Sequence, residues 1–251
     1  MLTGRDPPAL NPENAISRSG EREEKRRTIM ITGEQKPIEE IKETIAPYRR
    51  ILVLGCGSCV AECAAGGEKE TGMLASVLRM AAKMEGKEVL IHEKTLDRQC
   101  VKDFIVLLDD VMDQYDAVLS LACGAGVQAV AEMFSETPII PALNTEFLGE
   151  TKEQGYWVEN CLGCGECMLY TFGGVCPLAR CSKQLLNGPC GGSVAGKCEV
   201  GGDVPCAWQL IIDRLDQFGS LERLEKVHPP KDWSKKQGGG PRKIIREDQQ
   251  K

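Results

Sequence analysis

The chain has 251 residues, a formal net charge of −6 and an isoelectric point near 5.2, with 42% apolar and 27% charged residues. That length admits one α/β domain with a smaller appendage, and the apolar share is enough to build a core. The acidic balance argues against nucleic acid as a partner, no apolar run approaches the roughly 18 residues of a membrane span, and no apolar stretch near the start marks a secretory signal, so the expectation is a cytoplasmic chain.

Residues 1–29 are polar, charged and aperiodic, which fits a disordered tail or an extension upstream of a natural start at Met30. From residue 37 apolar runs alternate with amphipathic segments. "PIEEIKETIAPY" reads as a short helix, "ILVLG" (51–55) as a buried strand, and "KETGMLASVLRMAAKMEGK" as a helix. "EVLIHE" is a strand, "CVKDFIVLLDDVMDQY" a helix by its apolar spacing, "DAVLSLA" a strand, "GVQAVAEMF" a helix and "TPIIPAL" a strand. Strands of this length separated by helices predict βα units, a parallel sheet and a Rossmann-like three-layer domain over 30–150.

The texture changes after Gly149. Residues 151–218 form a second unit, rich in glycine and cysteine, that is expected to be organised by metal centres rather than by apolar burial. It ends in the helical pattern "CAWQLIIDRLDQFG", and residues 219–251 read as a flexible, mildly basic tail.

The chain contains 13 cysteines. Disulfides are disfavoured in a reducing compartment, so metal or iron–sulfur ligation is the better explanation of that number. Eight fall between 161 and 206: Cys161, Cys164, Cys167, Cys176, Cys181, Cys190, Cys198 and Cys206. The first three follow C-x2-C-x2-C spacing, which lets thiolates on one tight loop reach different irons of a cube, whereas zinc more often takes two separated C-x2-C pairs. Gly163 and Gly165 stand between these ligands, where positive φ is expected. Cys176-Pro177 matches the end of the bacterial ferredoxin signature but follows a longer gap. The simple partition is 161, 164, 167, 176 and 181, 190, 198, 206, for two [4Fe–4S] clusters; an exchange of one ligand between the groups, or structural zinc, is the alternative.

The other five cysteines lie in the α/β domain. Cys56 and Cys59 follow the first strand, Cys100 follows "EVLIHE", and Cys123 ends "DAVLSLAC". In an open parallel sheet these turns share the edge at which ligands bind, so the four leave room for a third [4Fe–4S] cluster, with Cys63 replacing one of them or lying beside the site. Ordinary buried cysteines are the competing reading. Gly55-Cys56-Gly57 starts like a dinucleotide fingerprint, but Val60 stands where the third glycine belongs. His92 reads as structural.

The stretch "NCLGCGECMLYTFGGVCPLARCSKQLLNGPCGGSVAGKCEVGGDVPCAWQLIIDRL" resembles the methylenetetrahydrofolate reductase C-terminal domain family. "EQKPIEEI", "LVLGCGSCVAECAAGGEKE", "LDRQC", "LACGAGVQ" and "PALNTEFLG" look like the rest of the MetV-type small iron–sulfur subunits of anaerobic methylenetetrahydrofolate reductases. The resemblance covers about residues 30–218. It implies a non-catalytic electron-transfer subunit of an oxidoreductase, with the eight cysteines of 161–206 as cluster ligands. It implies a flavin-containing MetF-type catalytic partner that reduces 5,10-methylenetetrahydrofolate in one-carbon metabolism. An electron donor such as ferredoxin or a larger redox complex would supply it. A zinc-binding structural subunit, or an independent enzyme using the sheet-edge cysteines on a folate or corrinoid, are the alternatives.

Overall fold

A computed structural model describes residues 31–153, 155–201, 203–235 and 248. The expectations for residues 1–29, for Met30 as a start and for nearly all of the chain beyond 235 lie outside the described residues.

Four parallel strands form the central sheet: β2 (Arg50–Cys56), β3 (Leu90–Leu96), β4 (Ala117–Leu121) and β5 (Ile139–Pro141), in the order β3-β2-β4-β5. β2 and β4 are central and buried on both faces, which is why "ILVL" and "AVLSL" are continuously apolar rather than alternating. Their side chains part to two cores. Ile51, Val53, Leu119 and Leu121 face one that includes Ile41 and Ile45 of α1 (Ile38–Ile45) and Leu74 and Leu78 of α3 (Glu68–Met84). Leu52, Leu54 and Val118 face the other, with Ile105, Leu108, Met112 and Val130 of α5 (Gly124–Met133). The result is a mixed α/β fold around a parallel four-stranded sheet, compatible with the expected Rossmann-like layering.

One local expectation needs correction, and two features were not anticipated. The predicted helix over 100–115 is a single turn, α4 (Lys102–Ile105), followed by 3-10 turns at Val106–Leu108 and Met112–Gln114. Ile105, Leu108 and Met112 keep helical burial spacing, but Val106, Asp109, Asp110 and Val111 are weak helix formers, and the chain there closes i→i+3 bonds such as Val111 N–H to Leu108 O. After β5 the chain leaves the parallel sheet: β6 (Leu143–Thr145) pairs antiparallel with β1 (Gly33–Gln35). A hairpin, β7 (Leu148–Glu153) and β8 (Tyr156–Cys161), then spans the expected boundary at 150, and its Trp157 packs on the first core.

The cysteine-rich segment carries a small core of its own. Phe172, Val175 and, from α7 (Ala207–Gln217), Trp208, Ile211 and Leu215 are buried together. A short helix, α6 (Pro177–Arg180), begins at the proline after Cys176. Residues 219–235, expected as part of a flexible tail, are held against this unit. His228 N–H donates to Asn187 Oδ1 at 2.7 Å, the His228 ring lies 5.4 Å from Phe172, and Lys231 Nζ reaches Glu166 Oε2 at 2.8 Å. Among the described residues no helix is long and apolar enough to cross a membrane.

Candidate metal centres

All 13 cysteines lie in described residues and none is in a disulfide. They gather in three places.

The first is the loop after β8. Cys161 closes the strand, and Gly163 (φ +60°) and Gly165 (φ +81°) adopt the left-handed backbone expected of them, curling Cys161, Cys164 and Cys167 around one space. Gly163 N–H points at Cys161 Sγ, 3.3 Å away, the orientation that compensates a thiolate's charge. Cys176 completes the set. All four line one cavity of about 230 Å³, whose other walls include Leu162, Met168, Leu178 and Leu186. Both the donor set and the space suit an inorganic cluster with an apolar surround.

The second lies between α6 and α7. Cys181, Cys190, Cys198 and Cys206 line one tight cavity of about 20 Å³, with Cys206 as the residue preceding α7. Gly192 N–H approaches Cys190 Sγ at 3.5 Å, and the Cys198 thiol lies 3.5 Å from the Ser182 hydroxyl. Hydrogen bonding at Ser182, and then at the Val200 backbone, lowers the Cys198 thiol below its ordinary range. Lys183 pairs with Glu199, which also accepts from Cys190 at 3.3 Å. That pairing first, with the nearby Cys190 and Cys198 thiols in support, raises the Lys183 ammonium and keeps it charged beside the sulfurs. The donor set matches a cluster. The space is narrower than in the first site, and the part able to yield is the outer loop, where Gly188, Gly191 and Gly196 meet no neighbour and hold positive φ.

The third is the carboxyl edge of the sheet. Cys56 ends β2, Cys59 opens the short helix α2 (Cys59–Glu62), and Cys123 precedes α5. Cys56 and Cys123 are buried, Cys59 is half-buried and Cys100 is exposed. Partial burial, then the neighbouring Cys123 and Cys56 thiols and more weakly Cys59, pushes the Cys100 thiol up. Cys63 turns away. Its sulfur accepts Gly33 N–H at 3.4 Å and lies 3.5 Å from Val60 O, and burial pushes its thiol up.

Sequence reasoning missed the residues that hold these loops. Gln99, fully buried, donates to Leu54 O at 2.9 Å and accepts from Ser120 Oγ at 2.7 Å, bridging β2 and β4 directly before Cys100. An amide beside a cysteine in "DRQC" was the available signal. Lys183, Glu199 and Ser182 were equally visible as polar residues flanking Cys181 and Cys198. His92 bonds Tyr115 through its ring Nδ1 at 2.9 Å, in keeping with a structural role.

Among the described residues no group of three or more His, Cys, Asp or Glu side chains is gathered as the ligands of a single metal ion. Four thiolates on one tetrahedral zinc would stand only about 3.8 Å apart, as follows from Zn–S bonds near 2.3 Å.

Residues 140–234 match the family model described as methylene-tetrahydrofolate reductase C terminal. The matched segment is under half of the chain; it holds both C-terminal cysteine quartets and the docked residues as far as Ser234. No curated protein and no solved structure matches the chain. The sheet-edge cysteines lie outside the matched segment.

Proposed function

We propose that this chain is the iron–sulfur electron-transfer subunit of a methylenetetrahydrofolate reductase, working in the cytoplasm with a flavin-containing catalytic partner. The observation that carries the reading is the division of the eight cysteines of 161–206 into two quartets, each lining one cavity, inside the segment that matches the reductase C-terminal family.

Cys161, Cys164, Cys167 and Cys176 would hold one [4Fe–4S] cluster, and Cys181, Cys190, Cys198 and Cys206 the other. When bound, such clusters pass electrons one at a time. Reduction of 5,10-methylenetetrahydrofolate to the 5-methyl form takes two electrons and two protons, and the partner's flavin would collect that pair. The donor is a one-electron carrier of the ferredoxin class or a larger redox complex. This chain's own residues supply the thiolates, the N–H groups of Gly163 and Gly192 that face sulfur, and the Lys183 charge that offsets the second quartet. Leu162, Met168, Leu178 and Leu186 give the first quartet's cavity its apolar walls.

The test is the iron and acid-labile sulfide content of the full chain purified without oxygen. The expected result is at least about eight of each per chain. A content of about two zinc with no sulfide would end the redox reading and leave a structural subunit in its place.

A further inference from the structure

We propose that Cys56, Cys59, Cys100 and Cys123 hold a third [4Fe–4S] cluster at the carboxyl edge of the parallel sheet, independent of the two C-terminal quartets.

The strand order places these residues. In the order β3-β2-β4-β5, the chain runs outward in opposite directions from the β2/β4 pair, and the crevice beyond the carboxyl ends of such a pair is where open α/β sheets bind ligands. Cys56 is in register with Leu96 of β3, and Gly55 with Leu121 of β4. Cys59, Cys100 and Cys123 follow within a few residues of those strand ends. Three loops from three adjacent strands therefore open onto one crevice, each with a thiol.

The loops are fastened to one another. Gly57 N–H donates to Leu96 O at 2.8 Å, tying the Cys56–Cys59 loop to the end of β3. Cys56 N–H donates to Gly66 O at 2.9 Å, and Gly66 lies so close to β4 that an added Cβ would come within 2.1 Å of Leu121 O. The Gln99 amide spans Leu54 and Ser120, and Gly126 of α5 fits against it so closely that a Cβ there would stand 3.0 Å from Gln99 Cβ. A buried amide of this kind fixes Cys100 over the β2/β4 crevice and the start of α5 beside it.

The donor chemistry selects the group. The three strand ends supply four thiols, two of them buried and Cys100 exposed. A packed apolar role does not account for an exposed cysteine aligned with two buried ones. A core that bridges three loops, with one thiolate per iron, matches thiols delivered from the ends of three adjacent strands. Cys63 is left outside the proposed set: its thiol lies 3.5 Å from Val60 O and 3.6 Å from Gly33 O, both backbone acceptors of its own neighbourhood.

The experiment uses the full chain purified without oxygen and reads iron, acid-labile sulfide and the electron paramagnetic resonance of the reduced protein. The edge variant carries Cys59→Ser and Cys100→Ser, neither of them a buried position. The C-terminal variant carries Cys164→Ser, Cys167→Ser, Cys190→Ser and Cys198→Ser. The parent is expected to hold about twelve iron, the edge variant about eight, and the C-terminal variant about four with a reduced-cluster signal of its own. Cys63→Ser should keep the parental content. Unchanged iron in the edge variant would overturn the proposal, as would zinc without sulfide in the C-terminal variant. If instead the C-terminal reading is the one that fails, the parent itself holds about four iron and the C-terminal variant loses none. Should the edge variant not fold, the iron and signal of the C-terminal variant decide alone: about four iron sustains the site and none removes it.

Discussion

Individual side chains decide whether the cysteine loops stand where they do. Gln99→Leu would leave Ser120 Oγ without its buried acceptor and remove the donor at Leu54 O. The expected loss is about 1–3 kcal/mol by chemical denaturation; if the proposed third cluster is present, its iron should fall in parallel. Gly66→Ala fails for a different reason. Its backbone is not in the left-handed region, but a Cβ would run into Leu121 O. Overpacking of that kind costs about 1–3 kcal/mol and would be read as a lowered denaturation midpoint. Cys63, by contrast, is a buried thiol with its proton favoured by burial. It should resist alkylation at neutral pH in the native chain and react only on unfolding, as mass spectrometry of the labelled protein would report.

Elements depend on a few long-range anchors. Asp116 Oδ2 accepts the N–H groups of Arg49 and Arg50 while Oδ1 takes the Arg50 guanidinium at 2.6 Å, so one carboxylate joins the starts of β2 and β4. The Arg50 guanidinium, helped by those two N–H groups, holds the Asp116 carboxyl below the usual carboxylate range. A depressed carboxylate stabilises the fold above its unfolded pKa, about 3.9, and that contribution is lost as the pH falls through the lower folded value. Asp116→Asn is therefore expected to lower Tm at about pH 7, with the gap to the parent closing below about pH 4. In the second unit, Ile211 of α7 is fully buried against Phe172 and Trp208. Ile211→Ala is expected to cost about 2–5 kcal/mol locally, seen as faster hydrogen exchange across 172–215.

At the scale of the molecule the two units differ in what holds them. The α/β part buries two apolar clusters, one on each face of its sheet. The cysteine-rich part has a core cluster of only five buried side chains and long glycine-rich loops, so most of its order is expected to come from bound metal. Stripping the metal under chelating conditions should raise hydrogen exchange over 161–206 to near the unfolded rate while β2 and β4 stay protected. Equal protection of both units after stripping would contradict that division. The docked residues after Gly219 should loosen with the first unit to go, since Lys231 is anchored on the Glu166 loop and His228 on Asn187.

Much of this was written locally. The apolar runs of β2 and β4, the helical spacing of α1, α3, α5 and α7, the two cysteine groups and the left-handed glycines at 163 and 165 all follow from residue type and near-neighbour spacing, because period and φ preference are properties of a few adjacent residues. The pairing of β1 with β6, the β7–β8 hairpin, the breaking of the expected helix over 100–115, the Gln99 bridge and the docking of 219–235 were not legible. Each depends on groups that meet only once the strand order is set, across separations that no local pattern records. The composition alone pointed to thiolate ligation. The tertiary structure decided where the thiols stand, by bringing the ends of β2, β3 and β4 to one edge and by folding the C-terminal loops so that each quartet lines its own cavity.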